Sequence, residues 1–174
     1  QVFGRGGGAR TQRAAAVDGE QTANGSRTAE RRAEITRVQF ERVRSRTDIL
    51  TGGAGSDVFR WELADRGASG SVPIDTVVDF VDAGDKLDLR DLLQGETSLG
   101  GVTGNLTNYL HFTTSGSDTV IQVSSAGGFS GGFNAGAVDQ TILVENVDLT
   151  VGGTLASDQQ IIQQLLLNNK LITD

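Results

Sequence analysis

The sequence predicts a mainly β protein: a short parallel β-roll stub, then a β-rich C-terminal domain with a short terminal amphipathic helix, behind an N-terminal segment that is disordered or partly helical. Three observations predict it. Gly52, Gly53, Ala54, Gly55, Ser56, Asp57, Val58, Phe59 and Arg60 match the nonapeptide GGxGxDxUx at every fixed position, the repeat of calcium-binding parallel β structures. Beyond it, β-branched and alternating runs recur between Gly-rich turns. Near the C-terminus the apolar spacing changes to that of a helix.

Residues 1–47 stand apart in charge. They carry ten Arg against five Asp or Glu, a balance of +5, while residues 48–174 carry five basic and seventeen acidic groups, a balance of −12. Within the first part, Ala29, Ala33, Ile35, Val38 and Phe40 give a weak helical stripe across residues 27–46. A disordered or partly helical segment fits this composition. A basic arm for nucleic acid or a membrane surface is an alternative, and a shifted reading frame in GC-rich repeat DNA, which turns Gly codons into Arg codons, is another.

The roll stub spans residues 48–60. Three glycines open backbone geometry closed to other residues, so carbonyl oxygens can turn toward an ion, and Asp57 adds a charged oxygen. Phe59, at the U position, is predicted to face the interior. Upstream, Asp48, Ile49, Leu50 and Thr51 have the DxUx tail of a preceding repeat, with Leu50 nine residues before Phe59. Val43, Arg44 and Arg46 stand where that repeat's glycines belong.

Residues 61–174 read as further strands. Residues 74–80 are rich in β-branched side chains, and Leu87, Asp88 and Leu89 alternate. Residues 109–113 and 119–124 form two strand-like runs about a turn at residues 115–118. A Gly-rich loop over residues 126–136 precedes another strand at 140–147. Ser157 with Gln160 three residues later makes a capping box, and Ile161, Ile162, Leu165 and Leu166 make one apolar face. Asn168 and Asn169 stop this helix, and residues 170–174 are an extended tail.

The densest chemical feature is a run of six aspartates, Asp75, Asp79, Asp82, Asp85, Asp88 and Asp91. Oxygen donors of this kind suit calcium and fit zinc or copper poorly. Individually, such carboxylates also cap turns or face water. The acidic balance of residues 48–174 disfavours nucleic acid. No apolar run approaches the roughly 18 residues of a membrane span. Cysteine is absent, so disulfides and thiolate metal sites are excluded. With Gln1 first and no methionine, the chain reads as a piece of a longer one.

In their order, these motifs resemble a family. The nonapeptide, then residues 75–80, residues 84–89, the hairpin, and residues 144–149 are similar to the C-terminal target domain of type I secreted RTX proteins, most of all to the version that ends large repetitive bacterial surface adhesins. The resemblance covers residues 48–174. Residues 1–47 depart from it, because further repeats belong there. The resemblance implies a non-catalytic module, secreted to the exterior or cell surface, with an uncleaved C-terminal signal recognised by a type I ABC exporter and folding coupled to calcium. It implies calcium ligands in Gly52, Gly53, Gly55 and Asp57, and a separate acidic set in Asp75, Asp79, Asp85 and Asp88. It also implies that the loop at residues 52–57 stacks on residues 34–39, which contain no glycine and no Asp.

Two other readings stay open. The same module ends secreted hydrolases such as proteases and lipases, and a generic acidic β domain needs no calcium. Catalysis within the chain has little to work with: His111 is the single histidine and sits in a strand-like run, and no GxSxG elbow is present. Trp61, Tyr109 and seven Phe are scattered as core residues are.

Overall fold

The computed structural model describes residues 32–34, 47–68, 71–80, 84–98 and 101–173. Among these, the short extended runs form β1 (Arg32–Glu34), β2 (Ile49–Thr51), β3 (Val58–Arg60), β4 (Ile74–Val77), β5 (Lys86–Asp88), β6 (Leu110–Ser115), β7 (Asp118–Val123), β8 (Gln140–Val144) and β9 (Leu171–Ile172), with the helix α1 (Asp158–Leu167) between the last two strands. Among the described residues the protein is mainly β, with one α-helix, two single-turn 3-10 helices and two open sheets.

Strands of three or four residues bury too little to be stable singly, so they must stack. They do so in two ladders, β1-β2-β4-β8-β7-β6 and β3-β5-β9. From β2 to β5 the chain alternates between the sheets, and each strand pairs in parallel with the one two elements later. Leu50 therefore lies beside Val77 and Val77 beside Val144, while in the other sheet Phe59 lies beside Leu87 and Leu87 beside Leu171. All six side chains enter one core cluster with Trp61, Phe80 and Leu89. The two U positions of the sequence pattern are thus inward, one from each sheet.

The remainder of the first sheet is antiparallel. β6 and β7 form the expected hairpin, closed by the Ser115–Asp118 pair with Gly116 at φ +67°. β7 then pairs antiparallel with β8, and β8 joins the parallel part beside β4. The helix is capped as predicted: Ser157 Oγ accepts from the Gln160 amide at 3.4 Å, and Gln160 Oε1 accepts from the Ala156 amide at 2.9 Å. Ile161, Ile162 and Leu165 are buried in the core. Asn169, at φ +54°, turns the chain back so that β9 can complete the second sheet.

One expectation is corrected. Arg32–Glu34 is extended, not helical, and pairs in parallel with β2, placing Glu34 beside Thr51. A strand with open N–H and C=O groups recruits an extended neighbour more strongly than a weak apolar stripe forms a helix. Residues 1–31 and 35–46, and with them the rest of that expectation and the stacking of residues 35–39, lie outside the described residues.

Candidate metal centre

The loop between β2 and β3 is built as its glycines predict. Gly53 and Gly55 have φ of +89° and +126°, conformations strained for any L side chain. Gly52 is required for a different reason: a Cβ there would lie 2.7 Å from Asp57 Oδ2 and 2.8 Å from Asp57 Cβ. The Asp57 side chain folds back over Gly52 and is 1% exposed. Gly52, Gly53, Gly55 and Asp57 therefore share one tight cradle.

The downstream side of this loop is closed by the next coil. Asp79 Oδ1 accepts from the Gly52 amide at 2.9 Å and Asp79 Oδ2 from the Gly53 amide at 2.8 Å. Asp85 Oδ1 accepts from the Asp57 amide at 3.1 Å. Gly84 packs so tightly on Ser56 that a Cβ there would fall 1.8 Å from Ser56 Oγ. The two carboxylates take donors that strands this short leave without a ladder partner.

Asp75 sits elsewhere, at the start of β4 and 1% exposed. Its Oδ1 accepts from the Asp48 amide at 2.9 Å, and its Oδ2 from Trp61 Nε1 at 2.7 Å and Gln140 Nε2 at 2.9 Å. Burial raises its pKa from 3.8 to about 6 against the lowering effect of the Trp61 and Asp48 hydrogen bonds. Burial does the same to nearby Asp65, also to about 6, opposed by the Glu62 amide. Asp88 is gripped by Arg90, whose Nη2 donates to Oδ2 at 2.7 Å and Nε to Oδ1 at 3.0 Å.

The structure thus brings Asp79 and Asp85 to the Gly52–Asp57 cradle and leaves Asp75 and Asp88 in arrangements of their own. Asp82 lies outside the described residues. Among the described residues no three acidic or histidine side chains group as a metal site. Calcium fits the cradle by donor chemistry, since a hard cation takes backbone carbonyls and a carboxylate. It fits Asp75, Asp79 and Asp88 poorly, because both oxygens of each already face protein donors.

Two arrangements were not visible in the sequence. One is the buried set of Asp75, Trp61 and Gln140, in which Gln140 reaches Asp75 across 65 residues of chain. The other is the meeting of His111, Phe133 and Asp158: His111 Nδ1 lies 2.9 Å from Asp158 Oδ2, and the His111 and Phe133 rings stack at 4.1 Å. Only the Ser157–Gln160 signal marked the neighbourhood.

No protein-family model matches the chain, and no curated protein matches it. Among solved structures it is similar to the solution structure of the AlgE6R3 subunit from the Azotobacter vinelandii mannuronan C5-epimerase, with 19% identity, 72% of this chain and 57% of that chain covered, and a TM-score of 0.41. The functional reading accordingly rests on the residues. Among the described residues no helix is long and apolar enough to cross a membrane.

Proposed function

We propose that residues 48–174 are the non-catalytic C-terminal module of a type I secreted RTX protein, a large surface adhesin, and that the module ends a parallel β-roll, carries the export signal and folds with calcium outside the cell. The observation that carries this reading is the cradle: positive-φ Gly53 and Gly55, and Asp57 folded over Gly52, on strands β2 to β5, which alternate between the two sheets and pair in parallel.

In this reading Gly52, Gly53, Gly55 and Asp57 offer oxygens to the ion on the upstream side of the loop, while Asp79 and Asp85 hold its downstream side by hydrogen bonds to amides. Bound calcium supplies positive charge to a segment with seventeen acidic and five basic groups, whose self-repulsion opposes compaction when the ion is scarce. Extracellular modules bind calcium at roughly 10⁻⁴ to 10⁻³ M, so the cytosolic chain stays ion-free and the exported chain loads. At tenfold excess over Kd one site adds about 1.4 kcal/mol, a useful fraction of the stability of a small domain.

The helix α1 is the element assigned to the exporter. Its Ile161, Ile162 and Leu165 are buried in the folded protein and become readable only in an unfolded chain. The role and the packing therefore hold in succession, exposed during export and buried afterwards. The test is export of a passenger fused ahead of the full 174-residue chain, in cells holding a type I exporter. The passenger is expected in the medium and is expected to stay inside when residues 158–174 are deleted. Equal export with and without those residues removes the signal from this reading.

A further inference from the structure

A cleft of about 260 Å³ opens where the turn before β6, the Gly-rich loop after β7 and the start of α1 meet. Its lining includes Asn108, His111, Phe129, Ser130, Phe133 and Asp158. The walls are tied to one another. The Phe129 amide donates to the Asn108 carbonyl at 2.9 Å, joining the loop to the turn. Asp158 Oδ1 accepts from the Phe112 amide at 2.9 Å, joining the helix to β6. The cleft is therefore part of the fold's hydrogen-bonded frame and not a gap between loose loops.

Three features give it a chemical preference. The phenyl rings of Phe129 and Phe133 stand 5.4 Å apart and tilted by 56°, forming an aromatic corner in which Phe133, 45% exposed, is the open ring and Phe129, 3% exposed, backs it. Asp158 is the carboxylate of the lining, which contains no Lys or Arg. Because a carboxylate only accepts, the His111 Nδ1–H donates to it. An aromatic corner beside a carboxylate, in a segment of balance −12, attracts a cation through both ring quadrupole and charge. Its size suits a small molecule, below the usual range for larger ligands.

We propose that this cleft binds a small organic ammonium ion, with Phe133, backed by Phe129, against the alkyl-ammonium group and Asp158 as the counter-charge. The inference rests neither on the calcium cradle nor on the export reading, although Asp158 opens α1.

The test is a backbone-amide NMR titration of the full chain with choline, beside its neutral isostere 3,3-dimethyl-1-butanol and beside sodium chloride at equal ionic strength. Choline is expected to shift the amides of Phe133, Phe112 and Asn108 in a saturable way, and the other two probes are not. Phe133→Leu, at an exposed loop position and checked for retained fold by the same spectra, is expected to weaken choline at least about tenfold. Asp158→Asn, checked for retained fold by the same spectra, is expected to do likewise. Equal shifts from the neutral isostere, unchanged affinity in Phe133→Leu, or no saturable shift up to about 50 mM choline would each overturn the proposal.

Discussion

The indole N–H of Trp61 donates to the carboxylate of Asp75 at 2.7 Å, with both residues 1% exposed. The same carboxylate receives the Gln140 amide and the backbone of Asp48, so one aspartate ties together β2, β4, β8 and the segment after β3. A charge buried this deeply is retained because three donors converge on it. Asp75→Ala leaves those donors buried and unmet, and is expected to destabilise the protein by about 3 kcal/mol or more. Urea unfolding followed by Trp61 fluorescence measures it, and a loss below about 1 kcal/mol contradicts this role.

The elevated pKa of Asp65 and Asp75 has a defined sign. In the fold both titrate near 6 instead of 3.8, with burial the largest cause. The native state therefore holds these protons more tightly than the unfolded chain, and the stability they contribute is complete below about pH 4 and lost as pH rises through about 6. Exposed Asp148 acts in the opposite sense, its pKa lowered first by the Thr150 hydroxyl and then by the Gly152 and Thr150 amides. In calcium-free buffer the urea midpoint is expected to fall between pH 4.5 and 7, and Asp75→Asn is expected to fall less. An identical pH dependence in the variant contradicts this assignment.

Coil-to-coil contact at the loops leaves no room for a methyl group at Gly84. Gly84→Ala is expected to destabilise by about 1–3 kcal/mol, as overpacking does. Because the nearest atoms are Ser56 Oγ and Cβ, Ser56→Gly is expected to restore part of the loss. A double-mutant cycle reads this directly, and strict additivity contradicts the contact.

Asp79 holds the amides of Gly52 and Gly53. Asp79→Ala is expected to speed hydrogen exchange at those two amides, at a cost of about 1–2 kcal/mol. The β6–β7 hairpin amides, remote in the sheet order, are expected to keep their protection. Unchanged exchange at Gly52 and Gly53 contradicts the bridging role.

Much of this architecture was legible because it is local. Leu50 and Phe59 could be read as inward from their nine-residue spacing, the hairpin from its turn residues, and α1 from the Ser157–Gln160 box. The glycine conformations at 53 and 55 followed from the nonapeptide itself. Pairing across distance was not legible. Nothing around Arg32–Glu34 marks it as a partner for β2, and nothing in the tail says that Leu171 lies beside Leu87. The aspartates were visible as a run, yet their separation depends on which donors the neighbouring coil presents. Asp75 meets Trp61 and Gln140, whereas Asp79 meets two loop amides. Phe133 looked like one of the scattered core residues and His111 like an ordinary strand residue, because their stacking is created by the Gly-rich loop returning to β6.

Calorimetric titration of the metal-stripped full chain with calcium, beside the Asp57→Asn variant, bears most directly on the cradle. Saturable binding with Kd on the order of 10⁻⁴ to 10⁻³ M, a rise in thermal midpoint with calcium, and at least about tenfold weaker binding in the variant are the expected results. No heat of binding up to about 10 mM calcium, with a thermal midpoint indifferent to the ion, would contradict the account.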